Sequence, residues 1–225
     1  MIRRQIAALT HGSFLIEAPS KPRGLLVGFH GYGEKAENHF EQLQRIPEAH
    51  KWLVCSVQSL HLFYKSRSQE VIGSWMTRQD REPMIEHNIG YVRSVISRLQ
   101  REFEITAPLV FAGFSQGVAM AYRAAACSGV PCSGLLALAG DVPPEIAQNR
   151  LLPLPPVLLG RGLADPWYTK EKMEIDLASL RGRTEVTECI FEGAHEWSVE
   201  FVDQCDLFLR KIWQLHSEPD RETVA

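Results

Sequence analysis

Three short apolar runs constrain the fold most: "PLVFAGFS" from Pro108, "SGLLALAG" from Ser133 and "PPVLLGRG" from Pro155. Each holds about six apolar residues without polar alternation, as expected of strands buried on both faces of a parallel sheet. "SFLIEAP", "GLLVGFH" and "WLVCSVQ" are shorter β-type runs before them. "TEVTECIF" alternates more and is expected nearer a sheet edge. Helical periodicity fills the gaps. Ile85, Ile89, Val92, Ile96, Leu99 and Phe103 recur at steps of three and four, so one stripe faces a core. Pro83 suits the first turn of that helix. Gln116 to Ala126 is small and apolar nearly all round, and Phe201, Cys205, Phe208, Leu209 and Ile212 mark a final helix. The order predicts a doubly wound α/β sheet, mostly parallel, with antiparallel strands at its N-terminal end. The stretch from about Ser59 to Glu82 has no clear element, and loops that long are usually functional or disordered.

The 225 residues suffice for one α/β domain spanning 1–225, with a disordered tail from about Ser217 to Ala225. A formal charge of -3 gives no support for nucleic-acid binding or a polybasic membrane anchor. No apolar run reaches the roughly 20 residues of a membrane span, and "MIRRQIAALTHGSF" is too weakly apolar for a signal-peptide core. The five cysteines are scattered and form no Cys-x-x-Cys pair, which fits free thiols in a reducing cytoplasm. No His/Cys/Asp cluster has metal-ligand spacing, so neither metal nor cofactor is expected.

The first of the three runs leads into "GFSQGVAM", a serine between two glycines where a strand gives way to a helix. A sharp turn there lifts Ser115 above the carboxyl edge of the sheet, and Gly113 and Gly117 leave room for it. The helix start offers unpaired N–H groups to a developing negative charge. A serine needs a base, and the base needs an acid to orient it. In a G-x-S-x-G nucleophile elbow both follow in the chain, acid first. Only His195 and His216 follow Ser115. His216 lies beside the tail, whereas His195 sits in a small-residue loop between a strand and the last helix. Two carboxylates compete for the third role. Asp165 in "GLADPWY" and Asp141 in "LAGDVPPE" each come just after a buried strand. Asp165 is one strand closer to His195, though an Asp-Pro turn or an N-cap would also explain it. The second half of an oxyanion hole is expected from His30-Gly31-Tyr32-Gly33, with backbone N–H donors at Tyr32 and Gln116; His30 itself reads as a structural loop residue.

"FHGYGE", "GSWM", "GFSQG", "GLADP" and "GAHEW", in this order, resemble the phospholipase/carboxylesterase family of α/β-hydrolases, which includes acyl-protein thioesterase-like enzymes. The likeness runs from about Gly24 to Trp213. It implies an α/β-hydrolase fold without a cap domain, with Ser115 as nucleophile, Asp165 as acid, His195 as base, and Tyr32 and Gln116 as oxyanion residues. Trp75 of "GSWM" matches a tryptophan in the family's loop over the active site, and Trp167 is a candidate for the opposite wall. The chain departs from the family at Val118, at Gly160-Arg161-Gly162 and at Pro166-Trp167. The expected function is hydrolysis of small or medium carboxylic esters or thioesters through an acyl-enzyme, by a monomer or homodimer. A peptidase of the same fold and a non-catalytic binding protein on this frame are the competing readings.

Overall fold

The computed structural model describes residues 1–217 apart from Arg3, Gln5, Ala7 and Ala107. The expected tail at 218–225 lies outside the described residues, and Ser217 itself closes the last helix. In chain order the elements are β1 (Phe14–Glu17), β2 (Leu25–Phe29), α1 (Ala36–Gln44), a 3-10 turn (Pro47–Lys51), β3 (Leu53–Val57), β4 (His61–Tyr64), β5 (Val71–Ser74), α2 (Arg81–Glu102), β6 (Leu109–Phe114), α3 (Gln116–Cys127), β7 (Gly134–Leu138), α4 (Pro144–Gln148), β8 (Val157–Gly162), α5 (Lys170–Leu180), β9 (Val186–Phe191) and α6 (Val199–Ser217).

The main sheet has the order β1-β3-β2-β6-β7-β8-β9. β1 pairs antiparallel with β3, and every other neighbouring pair is parallel. The three unbroken apolar runs are β6, β7 and β8, buried along their whole length in the middle of the sheet. β9, the alternating run, is one of the two edge strands and has exposed residues. Chain continuity reverses between β2 and β6: from β2 the chain moves outward to β3, then returns to place β6 on the other side of β2. That topological switch opens a crevice at the carboxyl ends of the two strands, where open α/β sheets bind ligands.

Pairing fixes which helices share a face, because partnered residues point the same way. Gly28 lies under His39 and Leu43 of α1, and Gly160 lies under Phe201 of α6, so α1 and α6 cover one face. Gly113, one residue out of phase, faces Val118 of α3 on the other. α2 and α4 pack beside α3, and α5 beside α4. On α2, Val92, Ile96 and Leu99 of the anticipated stripe are buried and Ile85, Ile89 and the C-cap Phe103 half-buried, while Val95 is buried beside them. The segment at 59–82 is not wholly irregular: β4 and β5 form an antiparallel hairpin, tied to the main body by a bridge between Glu34 and Gly73. All five cysteines are free thiols. Among the described residues, no helix is long and apolar enough to cross a membrane.

Candidate active site

Register alone brings the key loops together. Phe29 at the end of β2 pairs with Gly113 near the end of β6, so the His30–Gly33 loop leaves the sheet beside Ser115. Gly162 at the end of β8 pairs with Phe191 at the end of β9. Asp165 and His195 therefore emerge on neighbouring loops at the same edge. The loops are joined further out by Leu163 N–H to the Phe191 carbonyl (2.9 Å) and Ala164 N–H to that of Gly193 (2.8 Å).

Ser115 occupies the turn between β6 and α3 with φ 53° and ψ −120°. A non-glycine residue there is strained by roughly 1–3 kcal/mol and needs surroundings that hold it. Its N–H donates to the Leu138 carbonyl (2.9 Å) and its carbonyl accepts from Val118 N–H (3.0 Å). The flanking glycines are required by close approach. A Cβ on Gly113 would sit 2.5 Å from the Gly117 carbonyl oxygen, and one on Gly117 would overlap the Phe29 carbonyl.

His195 Nδ1 is 2.8 Å from Asp165 Oδ2. The carboxylate accepts, so Nδ1 carries the hydrogen and Nε2 presents a lone pair. Asp165 is held in turn: its Oδ1 accepts from the N–H groups of Trp167 (2.8 Å) and Tyr168 (3.0 Å), and its side chain is fully buried. The imidazole is wedged between Phe114, with ring centroids 4.9 Å apart, and the edge of Trp167 at 4.8 Å. Asp141, the rival carboxylate, instead forms an ion pair with Lys172 at 3.3 Å on the surface. His216 is bonded to Ser133 and the Ile212 carbonyl, far along α6.

Ser115 and His195 border one cleft of about 280 Å³, with Met76, Ala119, Trp167 and Tyr168 among its walls. On the far side of His195 lies a second hollow of about 260 Å³, lined by Glu34, Phe114 and Trp197. Gln116 is the first residue of α3, where an α-helix provides no carbonyl for the N–H. Its side chain has a separate task that the sequence did not suggest. Oε1 accepts from Trp75 N–H (2.9 Å), and Nε2 donates to the Met76 carbonyl (3.1 Å), clasping the segment after β5 to the elbow. Tyr32 is exposed, its ring against Phe63 of β4. The turn that carries Tyr32 is pinned by Glu34, whose carboxylate accepts from Gly31 N–H (2.7 Å), and by Gly33 N–H to the Gly73 carbonyl (2.9 Å). Burial raises the Glu34 pKa, and the Gly31 N–H opposes that rise.

His30 is buried, and its polar partners define its state. Nδ1 donates to the Gly31 carbonyl (2.7 Å), while Nε2 accepts from Ser59 N–H (3.2 Å) and the Gln58 amide (3.1 Å). Only a neutral ring does both, and burial lowers its pKa to about 4.

Trp75 requires a correction. It is 0 % exposed and absent from the cleft walls; its indole N–H donates to the His30 carbonyl (2.8 Å) and its ring packs edge-on against Phe29. A side chain of that size, with a buried acceptor for its one polar atom, gains more from the core than from an open groove. Met76 takes the place at the cleft. Two further residues escaped the sequence reading. Asn88 interrupts the apolar stripe of α2, and its amide donates to the Trp75 carbonyl (2.7 Å). Arg123 is the lone charge in the otherwise apolar α3 and also borders the cleft. A polar residue set inside an apolar pattern was the available signal for both.

Known structures share this architecture. Esterase PE8 superposes with a TM-score of 0.75 at 21% identity, covering 90% of this chain and 100% of that one. The carboxylesterase of Bacillus cereus gives 0.66 at 16%, covering 89% and 94%. Acyl-protein thioesterase 2 of Zea mays gives 0.67 at 17%, covering 90% and 100%. Identities this low speak to fold alone. A search of curated proteins returned no match. The sequence profile of the Phospholipase/Carboxylesterase family matches residues 11–213, nearly the whole length, and the chain therefore belongs to the phospholipase/carboxylesterase family of α/β-hydrolases.

Proposed function

We propose that this protein hydrolyses carboxylic esters or thioesters through Ser115, His195 and Asp165. The observation that carries the reading is the 2.8 Å contact of His195 Nδ1 with a buried Asp165, at the lip of the cleft that also holds the strained Ser115. In this mechanism His195 Nε2 takes the Ser115 hydroxyl proton as Oγ attacks the acyl carbon. Asp165 keeps the ring oriented and stabilises the imidazolium that forms. The backbone N–H groups of Tyr32 and Gln116 receive the charge on the carbonyl oxygen. His195 returns the proton to the leaving alcohol or thiol, and water then deacylates Ser115 by the same route in reverse. Trp167 forms part of the substrate wall. The test joins a fluorophosphonate probe to p-nitrophenyl ester assays. Labelling confined to Ser115, with turnover abolished in a folded Ser115→Ala variant, is expected. An unlabelled protein would indicate a binding module, and comparable cleavage of anilides would indicate a peptidase.

A further inference from the structure

Beyond Ser115 the cleft runs along α3 to a charged end. Ser115, Ala119 and Arg123 follow one another at steps of four, share one helix face, and all border the cleft. Eight residues of helix span about 12 Å, so the arginine lies on the order of 10 Å from the nucleophile. Arg123 is only 1 % exposed. Its Nε donates to Glu145 Oε1 at 2.6 Å and one terminal nitrogen to Met76 Sδ at 3.4 Å; among the described residues these are its protein acceptors. A guanidinium has five N–H donors and a thioether is a weak acceptor, so the group is under-satisfied on its cleft side. Glu145 is shared, because Arg81, also in the cleft wall, reaches its other oxygen at 3.3 Å. Lys172 also lines the cleft, paired with Asp141. Three cations thus line a small cleft; Glu145 is divided between the two arginines, while Asp141 and the buried Asp176 stand near Lys172.

Building on the hydrolase reading above, we propose that the substrate carries a carboxylate on one arm of its ester, seated between Arg81, Arg123 and Lys172. A planar carboxylate matches the free edge of the guanidinium and supplies the strong acceptor that the Met76 thioether does not. Ala119 leaves the floor between serine and arginine low enough for a linear chain to cross.

Four esters test this. p-Nitrophenyl hydrogen suberate puts the carboxylate on the acyl arm and 7-acetoxyheptanoate puts it on the alcohol arm; the methyl ester of each is the neutral control. One charged ester is expected to exceed its control in kcat/KM by roughly tenfold or more, the worth of a charge-assisted hydrogen bond. That ratio should fall toward one in Arg81→Gln and in Lys172→Gln, both surface-reaching residues whose loss leaves the core intact, and should shrink with added salt. Whichever arm shows the preference identifies where the substrate bears its charge. Turnover of both neutral esters with no preference for either charged one overturns the proposal and leaves the hydrolase reading standing. A preference that survives both substitutions also overturns it. No turnover of any of the four removes the hydrolase reading and this inference together.

Discussion

At Gly117 a single methyl group would collide with the carbonyl of Phe29 and sit 2.7 Å from that of His30. Gly117→Ala must therefore push the elbow away from the Tyr32 loop, separating the two halves of the proposed oxyanion site. We expect ester turnover to fall at least a hundredfold, with a loss of roughly 1–3 kcal/mol in urea unfolding from the overpacking. Near-normal kinetics would mean that the two backbones do not need to meet. The carboxylates give a sharper comparison. Asp165→Asn leaves the shape but disrupts the tautomer, so kcat should drop on the order of 10⁴, whereas Asp141→Asn loses only a surface pair with Lys172. A dead Asp141 variant beside a live Asp165 variant would sink the assignment. Ser115 and His195 could be singled out in the sequence because the chemistry accepts few residue types and only two histidines follow the serine. The choice between Asp165 and Asp141 could not be made from residue type, since both follow buried strands. It rests on the pairing of β8 with β9, a long-range fact.

The β4–β5 hairpin was the least legible element. Its strands are four residues each, one carries Gly73 in its middle, and Leu62, Tyr64 and Val71 face solvent. Neither periodicity nor burial marks such a strand strongly. The same weakness hid the role of Trp75, because an aromatic residue in an unassigned loop gives no sign of which way the backbone turns. In the fold, the segment is clasped by the Gln116 amide from one side and Asn88 from the other. Trp75→Ala should accordingly act on stability, by about 3–5 kcal/mol through the cavity it leaves, and not on the preference for ester chain length. Thermal melts and a nitrophenyl ester series separate these effects. Gln116→Ala keeps the backbone N–H and removes only the clasp. We expect fluorophosphonate labelling of Ser115 to persist, hydrogen exchange at 71–76 to accelerate, and KM to rise more than kcat falls. Unchanged exchange at those residues would show that Asn88, the Trp75 indole and the Glu34–Gly73 bridge hold the segment without the clasp.

Over the whole molecule, the sheet was readable because β6, β7 and β8 are apolar on both faces, while the order that puts β6 beside β2 is fixed only by long-range packing. That packing encloses two histidines beneath the switch point. His30 is held near pKa 4 and His39 near 3, both lowered by burial, and His39 is lowered further by the neighbouring His30. Unfolded, both return to about 6.5. A depressed folded pKa means that the unfolded chain binds protons first, so the stability these rings contribute is whole above pH 6.5 and drains as pH falls toward 4. For His30 alone the difference corresponds to roughly 3 kcal/mol. Asp176 works in the opposite direction. Burial raises it from 3.8 to about 6 although Tyr168 and Val142 donate to it, so its contribution is whole below 3.8 and drains as pH rises through 6. Between 4 and 6 the raised carboxyls of Asp176 and Glu34 oppose the lowered imidazoles of His30, His39 and His61, and we expect the fully enclosed histidine pair to prevail. The urea midpoint should therefore decline from pH 6.5 to 4.5, since the unfolded rings take up protons there while the folded His30 stays neutral to keep accepting from Ser59 and Gln58. His39→Phe isolates the cause. Its ring would keep the edge-on contact with Trp197 but could not take a proton, so the acid limb should become shallower whatever the substitution does to stability at pH 7. An acid limb of unchanged slope in that variant would place the sensitivity in groups other than His39.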